Sequence, residues 1–335
     1  MRIIDAGFEY FGLLDLGNDP VERVYKIIAM AGRTCYKSEG GKDTDREFVA
    51  RIIKRGHEAV LEHGNIILKC DSGTVRWFTN MCAWAEHRLH RTYYLRSSFE
   101  AVSGNIRAWR DFFKAVNELR PSDLAHFYPL MHKYDVLFDD LWEDIEPGIQ
   151  PSTNVGKWRE ITVDELSETE ALVHRCETVR FIVDRGVSHE IVRHRPASYC
   201  QESTRYCNYS KDRFGSEITV IRPYPFHEDT ASYRAWKRAC EVCEKEYFNL
   251  LDIGELPQMA RDVLPTSTKT EVVMTATVGE WRHFFNLRAL GTTGAPHPQM
   301  REVALPLLRI MAGYLPPPVW RSGISGGTGD GRNAA

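Results

Sequence analysis

The sequence predicts a mixed α/β (α+β) fold, with a central sheet flanked by helices and a largely helical insertion. Short runs rich in β-branched residues, such as TVRFIV and TEVVMTAT, indicate strands. Longer stretches with an apolar residue at every third or fourth position indicate amphipathic helices. The segment from about 72 to 176 differs from both flanks, because it combines Trp-rich helical pieces with a Pro/Gly-rich loop and an acidic run.

The N-terminal part predicts a short strand, then helices at 20–31 and 44–55. Asp19 and Pro20 are typical of the start of a helix, and Gly56 is typical of the end of one. The element HEAVLEH at 57–63 leads into a strand candidate at 65–70.

A second strand candidate at 178–183 follows more than a hundred residues later, and we expect the two strands to pair. This divides the chain into a catalytic core at 1–71 and 177–320, an insertion at 72–176 and a disordered tail at 321–335. The C-terminal part then predicts a strand in EITVIRPY, a helix at 229–253, a short helix at 259–264, a strand at 270–277, and helices at 279–290 and 298–314.

The overall composition is that of an ordinary soluble enzyme, with 43% hydrophobic residues and a net charge of −3 over 335 residues. A strong nucleic-acid binder is usually basic overall, so any anion site here must be local. The N-terminus lacks the pattern of a signal peptide, and no apolar run reaches the roughly 20 residues needed to span a bilayer. We therefore expect a cytoplasmic protein that binds neither membrane nor nucleic acid.

Eight cysteines are scattered along the chain and show no disulfide framework. Cys240 and Cys243 have metal-site spacing, but they share an apolar helical stripe with Trp236, Tyr247 and Leu250. We interpret them as packing residues and expect no metal site.

The stretch RHRPASYCQESTRYCNYS at 193–210 concentrates arginines, hydroxyls and aromatic rings. Arginine makes bidentate contacts with phosphate and stacks on flat rings, so a small phosphate-bearing ligand suits this stretch. A solvated basic face is the alternative, and the residue types alone leave both open. The chain has no G-x-S-x-G motif, and none of its cysteines has a flanking pattern of a reactive thiol, although Cys200 and Cys207 lie inside the stretch.

The spacing of this stretch resembles the RHRxxSxxxxSxR signature of flavin-dependent thymidylate synthases at every fixed position. Three further elements are similar to family elements and occur in the family's order: HEAVLEH at 57–63, ARDVLP at 260–265, and NLR at 286–288 followed by HPQ at 297–299. The resemblance covers about 1–71 and 177–318 and leaves out the insertion.

The resemblance implies a homotetramer with FAD at subunit junctions. It implies methylation of C5 of dUMP, with 5,10-methylenetetrahydrofolate as carbon donor and NADPH as reductant of the flavin. A relative that methylates UMP in nucleoside antibiotic biosynthesis would keep the same motif, so both substrates stay open. A nucleotide- or RNA-binding module without catalysis is a weaker alternative.

The resemblance also assigns roles to residues of this chain. Arg288 would be catalytic, because a cation at the uracil edge stabilises charge on N3–C4–O4. The implied nucleotide-binding residues are Glu190, Arg193, Gln201, Glu202, Ser203, Thr204, Arg205, Arg261 (from another subunit) and Arg288. The implied flavin-binding residues are His57, Arg193, His194, Arg195, Gln201, His283 and His297.

Several positions depart from the family pattern. Gln201 stands where Glu is frequent, and Glu190 where Gln is frequent. Thr277 and Gly279 stand where the family often has Asn and Arg in contact with flavin. The insertion offers Asn105-x-Arg107 before a W-R-x-F-F pattern that is shared with 281–285. One hypothesis is that the insertion supplies the missing pair; packing of Trp109 within the insertion is the simpler explanation.

Overall fold

The computed structural model of the chain describes residues 1–37, 43–90, 94–142, 156–203, 209 and 216–315. Its strands are β1 (Arg2–Ile4), β2 (Gly7–Tyr10), β3 (Asn65–Cys70), β4 (Arg96–Ser97), β5 (Ala101–Asn105), β6 (Trp158–Glu160), β7 (Cys176–Asp184), β8 (Ser198–Gln201), β9 (Thr219–Ile221) and β10 (Lys269–Thr277). Its α-helices are α1 (Pro20–Tyr36), α2 (Asp45–Lys54), α3 (Ser72–Leu89), α4 (Ile106–Leu119), α5 (Pro121–Leu124), α6 (Tyr128–Lys133), α7 (Asp135–Trp142), α8 (Glu168–His174), α9 (Arg185–Ile191), α10 (Ala231–Asp252), α11 (Pro257–Ala260), α12 (Val278–Arg288) and α13 (Pro298–Tyr314). The mixed helix-and-sheet class is as the sequence predicts.

The first two helices begin at the caps that the sequence indicates. The Asp19 side chain accepts hydrogen bonds from the backbone at the start of α1. Thr44 and Glu47 form a reciprocal capping box at the start of α2. Residues Glu58–His63 form a 3₁₀ helix that leads directly into β3.

The sheet that carries the arginine motif has the strand order β2-β7-β10-β8. Strands β7 and β10 are antiparallel and pair over their whole length, from Lys269 opposite Asp184 to Thr277 opposite Cys176. Strand β8 lies at one edge of this sheet, where it pairs with β10. The motif therefore lies at an edge of the sheet.

The predicted pairing of 65–70 with 178–183 is wrong. Strand β3 pairs with β5 on one side and with β6 on the other, both from the inserted segment, in a second sheet of order β4-β5-β3-β6. Both edges of β3 are therefore occupied by strands of the inserted segment, which leaves no edge of β3 for the strand at 178–183. The described part of the segment at 72–176 thus contains three strands, β4, β5 and β6, besides its helices.

One hydrophobic core joins the inserted segment to the N-terminal helices, since buried side chains of α1, α2, α4 and α7 belong to the same cluster. A second core lies between the motif-bearing sheet and the pair of helices α12 and α13. The third is smaller and packs α10 against β9, with Cys240 and Tyr247 buried and Trp236 against them, as the apolar stripe predicts. The domain boundaries given above remain a prediction, and the tail at 321–335 lies outside the described residues.

The W-R-x-F-F pattern that the insertion shares with 281–285 lies in two similar structural units. The insert unit is defined as β3, α3, β4, β5 and α4, and the motif unit as β7, α9, β8, β10 and α12, with β9, α10 and α11 lying between β8 and β10 in the chain. In both units the last strand lies between the other two, in the orders β4-β5-β3 and β8-β10-β7. None of the described helices combines the length and the apolar composition that a membrane span requires.

Candidate functional site

The arginine motif begins at the end of α9 and continues into β8. Asp184 caps α9 by accepting a 2.7 Å hydrogen bond from the Val187 amide. The helix ends at Ile191, before Pro196, and β8 begins at Ser198. The helix therefore ends before the proline, and the chain then continues as the edge strand β8.

Three of the predicted site residues form one hydrogen-bonded network. Arg288, the last residue of α12, donates from Nη1 to Glu190 Oε2 at 2.6 Å and from Nη2 to the Glu190 carbonyl at 3.3 Å. Its Nε donates to His194 Nε2 at 3.0 Å, which requires the imidazole to be unprotonated at that nitrogen. Burial, with Arg288 and His283 nearby, lowers the pKa of His194 to about 4, so the ring is neutral at pH 7.

The backbone of the motif is held by its own side chains. The Tyr199 hydroxyl and the Arg195 Nη1 both donate to the His194 carbonyl, at 2.8 and 2.9 Å. The Arg195 guanidinium lies over the Tyr199 ring, 5.2 Å from its centroid. The His194 ring lies edge-on to Phe284, with centroids 4.8 Å apart, whereas Arg193 and Arg195 are exposed. The structure thus buries the histidine and presents the two arginines to solvent.

Just after the end of β8, Glu202 forms part of an ion-pair cluster. Its carboxylate is buried and accepts a 3.0 Å hydrogen bond from Lys269 Nζ, while Lys269 and Lys37 both also pair with Glu271. These two lysines and Glu271 are not among the residues predicted for the site. The alternation Lys269-Thr270-Glu271 places both charged side chains on one face of β10, and this alternation is the sequence pattern that could have predicted the cluster.

Gln201 and the H-P-Q element at 297–299 both contact the region where β7 passes into α9. The Gln201 amide donates to Ser188 Oγ at 3.1 Å and to Thr270 Oγ1 at 3.3 Å. Gln299 Nε2 donates to Asp184 Oδ2 at 2.7 Å. Burial raises the pKa of Asp184, and His297 is close enough to oppose that rise. The H-P-Q element therefore meets the start of α9.

The HEAVLEH element reaches the motif through its second glutamate. Ser198 Oγ donates to Glu62 Oε2 at 3.0 Å, which ties the 3₁₀ helix to the first residue of β8. Arg107 of the insertion pairs with the other carboxylate oxygen at 2.7 Å. His57 is exposed and immediately precedes this 3₁₀ helix.

Not every predicted residue is placed in this network. Thr204 and Arg205 lie outside the described residues, and Ser203 is the last described residue of the motif before them. Arg261 is exposed at the start of a 3₁₀ helix, where it lies 4.0 Å from the carboxylate of Asp262. Its predicted role in the site of another subunit stays a prediction.

Cys200 has the environment of a packing residue. It is 4% exposed, and its contact with the Cys35 thiol together with burial raises its pKa well above the ordinary value. A thiol in this state is a poor nucleophile at neutral pH. Cys207 lies outside the described residues.

Comparison with known proteins identifies relatives for the C-terminal half. Residues 155–317 match the family described as thymidylate synthase complementing protein. Curated proteins named flavin-dependent thymidylate synthase are similar: that of Geobacter sulfurreducens is 31% identical over 134 residues, 40% of this chain and 55% of that protein. The one of Pyrococcus furiosus is 28% identical over 47% of this chain and 69% of its own length, and that of Pyrococcus abyssi is 34% identical over 38% and 50%. These matches confirm the family resemblance.

In the matched region the chain spans about half the length of two of these relatives, 55% and 50%. Among solved structures, a UMP/dUMP methylase, PolB, from Streptomyces cacaoi, bound with 5-Br dUMP, is 25% identical. The alignment covers 44% of this chain and 69% of that chain, with a TM-score of 0.36. Similarity at this level supports no conclusion about the substrate.

Proposed function

Because residues 155–317 match the family of thymidylate synthase complementing proteins, we propose that this chain is a flavin-dependent methyltransferase. It methylates C5 of a uridine monophosphate, with dUMP as the expected substrate and UMP as the alternative. Methylenetetrahydrofolate supplies the carbon, and NADPH reduces the FAD. The proposed enzyme is a cytoplasmic homotetramer.

The network of Arg288, Glu190 and His194 carries this proposal. A guanidinium has five N–H donors, and the network occupies three of them, so donors remain for a carbonyl of the base. Since His194 is neutral, it orients Arg288 without adding a second charge. A fixed cation at the N3–C4–O4 edge of uracil stabilises the negative charge that develops there and makes C5 more nucleophilic.

The donor set around this network suits FAD. Exposed guanidinium groups of Arg193 and Arg195 match the pyrophosphate of the cofactor, because arginine binds phosphate oxygens bidentately. His57, His194, Gln201, His283 and His297 complete the proposed flavin-binding set. When bound, the reduced flavin supplies the hydride, and the residues of the protein bind, orient and polarise.

The remaining predicted residues are proposed to hold the nucleotide, with Ser203 and Arg205 near the phosphate. Gln201 donates its amide to two hydroxyls, and its carbonyl oxygen, which accepts from none of the described residues, is proposed to accept from a donor on the ligand. Glu202 serves this region indirectly, because its carboxylate is already paired with Lys269.

Two measurements test the proposal. The purified protein should bind FAD and show an absorbance band near about 450 nm. With FAD, NADPH and methylenetetrahydrofolate present, it should release tritium from C5-labelled dUMP or UMP, and the preferred label identifies the sugar. Reactions without folate are the control. Bound nucleotide without tritium release from either label would instead support a binding module.

A further inference from the structure

The corner between β5 and α4 in the insert unit repeats the corner between β10 and α12 in the motif unit. Asn105 caps α4 by accepting from the Ala108 amide at 2.8 Å, and Thr277 caps α12 by accepting from the Glu280 amide at 3.3 Å. Each cap thus bonds the third residue after it. This places Asn105 and Thr277 at equivalent positions.

Contacts of the two corners with the first strand of each unit are also equivalent. The first helical amide donates to the residue just before that strand: Ile106 to the Gly64 carbonyl at 3.0 Å, and Val278 to the Arg175 carbonyl at 2.9 Å. The helix tryptophan donates to the second strand residue: Trp109 to Ile66 at 3.3 Å, and Trp281 to Glu177 at 3.0 Å. The equivalence therefore extends through four residues of each helix.

The two units face each other through a reciprocal pair of buried contacts. His63, which precedes β3, bonds Thr275 on β10 over 2.7 Å, and His174, which precedes β7, bonds Ser103 on β5 over 2.8 Å. Each histidine lies two residues before the first strand of its own unit and reaches the hydroxyl two residues before the helix cap of the other. This reciprocity is that of an approximate two-fold relation between the units.

Arg107 and Gly279 occupy the equivalent position two residues after each cap. At 279 a side chain is excluded, because a Cβ there would lie 2.9 Å from the Leu172 carbonyl oxygen of α8. At 107 the side chain is free of that backbone: it pairs with Glu62 at 2.7 Å and, more distantly, with Asp111 at 3.9 Å, and the other oxygen of Glu62 accepts from Ser198. Helix α8 therefore leaves no room for a side chain at 279 of the motif unit. In the insert unit, the equivalent residue Arg107 places a cation beside Glu62, which contacts the arginine motif at Ser198.

We propose that Arg107 is a positioning residue for anion binding by the arginine motif. Its ion pair keeps Glu62 hydrogen-bonded to Ser198 and offsets the negative charge that Glu62 places beside that motif. Without Arg107, the Glu62 carboxylate would repel the phosphates of an incoming anion at a partly buried position, where screening is weak. The inference rests on the proposed function in that FAD is the principal anion.

The test is a double-mutant cycle on FAD affinity, measured by quenching of flavin fluorescence. R107A should weaken FAD binding by about tenfold, because one unit of negative charge becomes uncompensated. E62Q should change the affinity by less than about threefold, and R107A/E62Q should return to within about threefold of the wild type. A merely structural role for Arg107 predicts no recovery in the double variant. The matched control is R159A, which removes an exposed arginine of the inserted segment that pairs with Glu165.

A second readout separates this inference from the proposed function. Inorganic pyrophosphate should raise the melting temperature of the wild type, and R107A should lose most of that rise while R107A/E62Q regains it. If the wild type bound no FAD, the proposed function would fail and the pyrophosphate measurement would still decide the role of Arg107. Equal shifts in the wild type and R107A, no shift in the wild type, or a double variant as weak as R107A would each overturn the inference.

Discussion

Arg288 Nη1 donates to Glu190 Oε2 over 2.6 Å, so a full negative charge restrains the guanidinium at the centre of the candidate site. Replacing Glu190 with Gln keeps an acceptor oxygen but removes that charge. The cation of Arg288 should then act more strongly on the base, and we expect dUMP to bind several-fold more tightly in E190Q. Isothermal titration with dUMP measures this, and weaker binding would show that Glu190 contributes mainly by orienting Arg288.

Arg288→Ala should reduce tritium release by at least about a hundredfold, because it removes the cation that Glu190 and His194 hold in place. Flavin absorbance should remain, since the proposed flavin contacts come from other side chains. Arg282→Ala is the matched control, as Arg282 is an exposed arginine of the same helix. Loss of flavin from R288A would assign Arg288 to cofactor binding instead.

Stability should fall as the pH drops below about 6.5, because three histidines are buried in the neutral form. Burial lowers the pKa of His63 to about 3 and the pKa values of His174 and His194 to about 4. Between pH 6.5 and 4 the unfolded chain binds protons that the native chain does not, so each histidine removes stability at up to about 1.4 kcal/mol per pH unit. Above about pH 6.5 the three histidines are neutral in both the folded and the unfolded chain, so no stability is lost to their protonation there.

Urea unfolding midpoints between about pH 5 and 7.5 measure that dependence. His174→Asn removes one of the three titrating groups, so its midpoint should depend less steeply on pH. His132→Gln, at an exposed position, is the control and should leave the slope unchanged. An identical slope in H174N would contradict the assignment.

Gly279→Ala should destabilise the protein by about 1–3 kcal/mol, because the added Cβ would lie 2.9 Å from the Leu172 carbonyl oxygen and α8 would have to move. Gly313→Ala is the matched control, since a Cβ there meets nothing within 4 Å and alanine favours the helix. The free energy of unfolding of both variants tests the prediction. Equal effects would show that α8 shifts at no cost.

Lys269→Ala should be among the most damaging single changes, at about 3–5 kcal/mol, because it strips a cation from the buried carboxylates of Glu202 and Glu271. Lys237→Ala removes an exposed lysine that lies 4.0 Å from Glu241, and should cost less than about 1 kcal/mol. Chemical denaturation of both variants provides the comparison. A small effect in K269A would mean that Lys37 by itself neutralises the carboxylates of Glu202 and Glu271.

The candidate site was largely predictable where the signal is local. The caps of α1 and α2, the end of α9 before Pro196 and the spacing of the arginine motif all depend on neighbours a few residues away. The family resemblance, carried by the arginine motif and its companion elements, was enough to name Glu190, His194 and Arg288 as site residues. That they bond one another follows only from the packing of α12 against α9 and the motif.

The pairing of β3 could not be read from its sequence, because NIILKC is compatible with any apolar partner strand. Its true neighbours, β5 and β6, turned a supposed helical insertion into a second sheet that faces the motif unit. For the same reason the sequence did not predict Glu62 as a site residue, and it offered Arg107 only as a hypothetical replacement for a missing flavin contact and not as a partner of Glu62.

The sequence by itself determined the family resemblance, the starts of the first two helices and the identity of most candidate ligand-binding residues, because these depend on spacing and local propensity. Only the tertiary structure decided which charges meet: Arg288 with Glu190, Lys269 with Glu202, and Arg107 with Glu62. Side chains that are far apart in the chain acquire partners through strand register and helix packing, and those depend on the whole core at once.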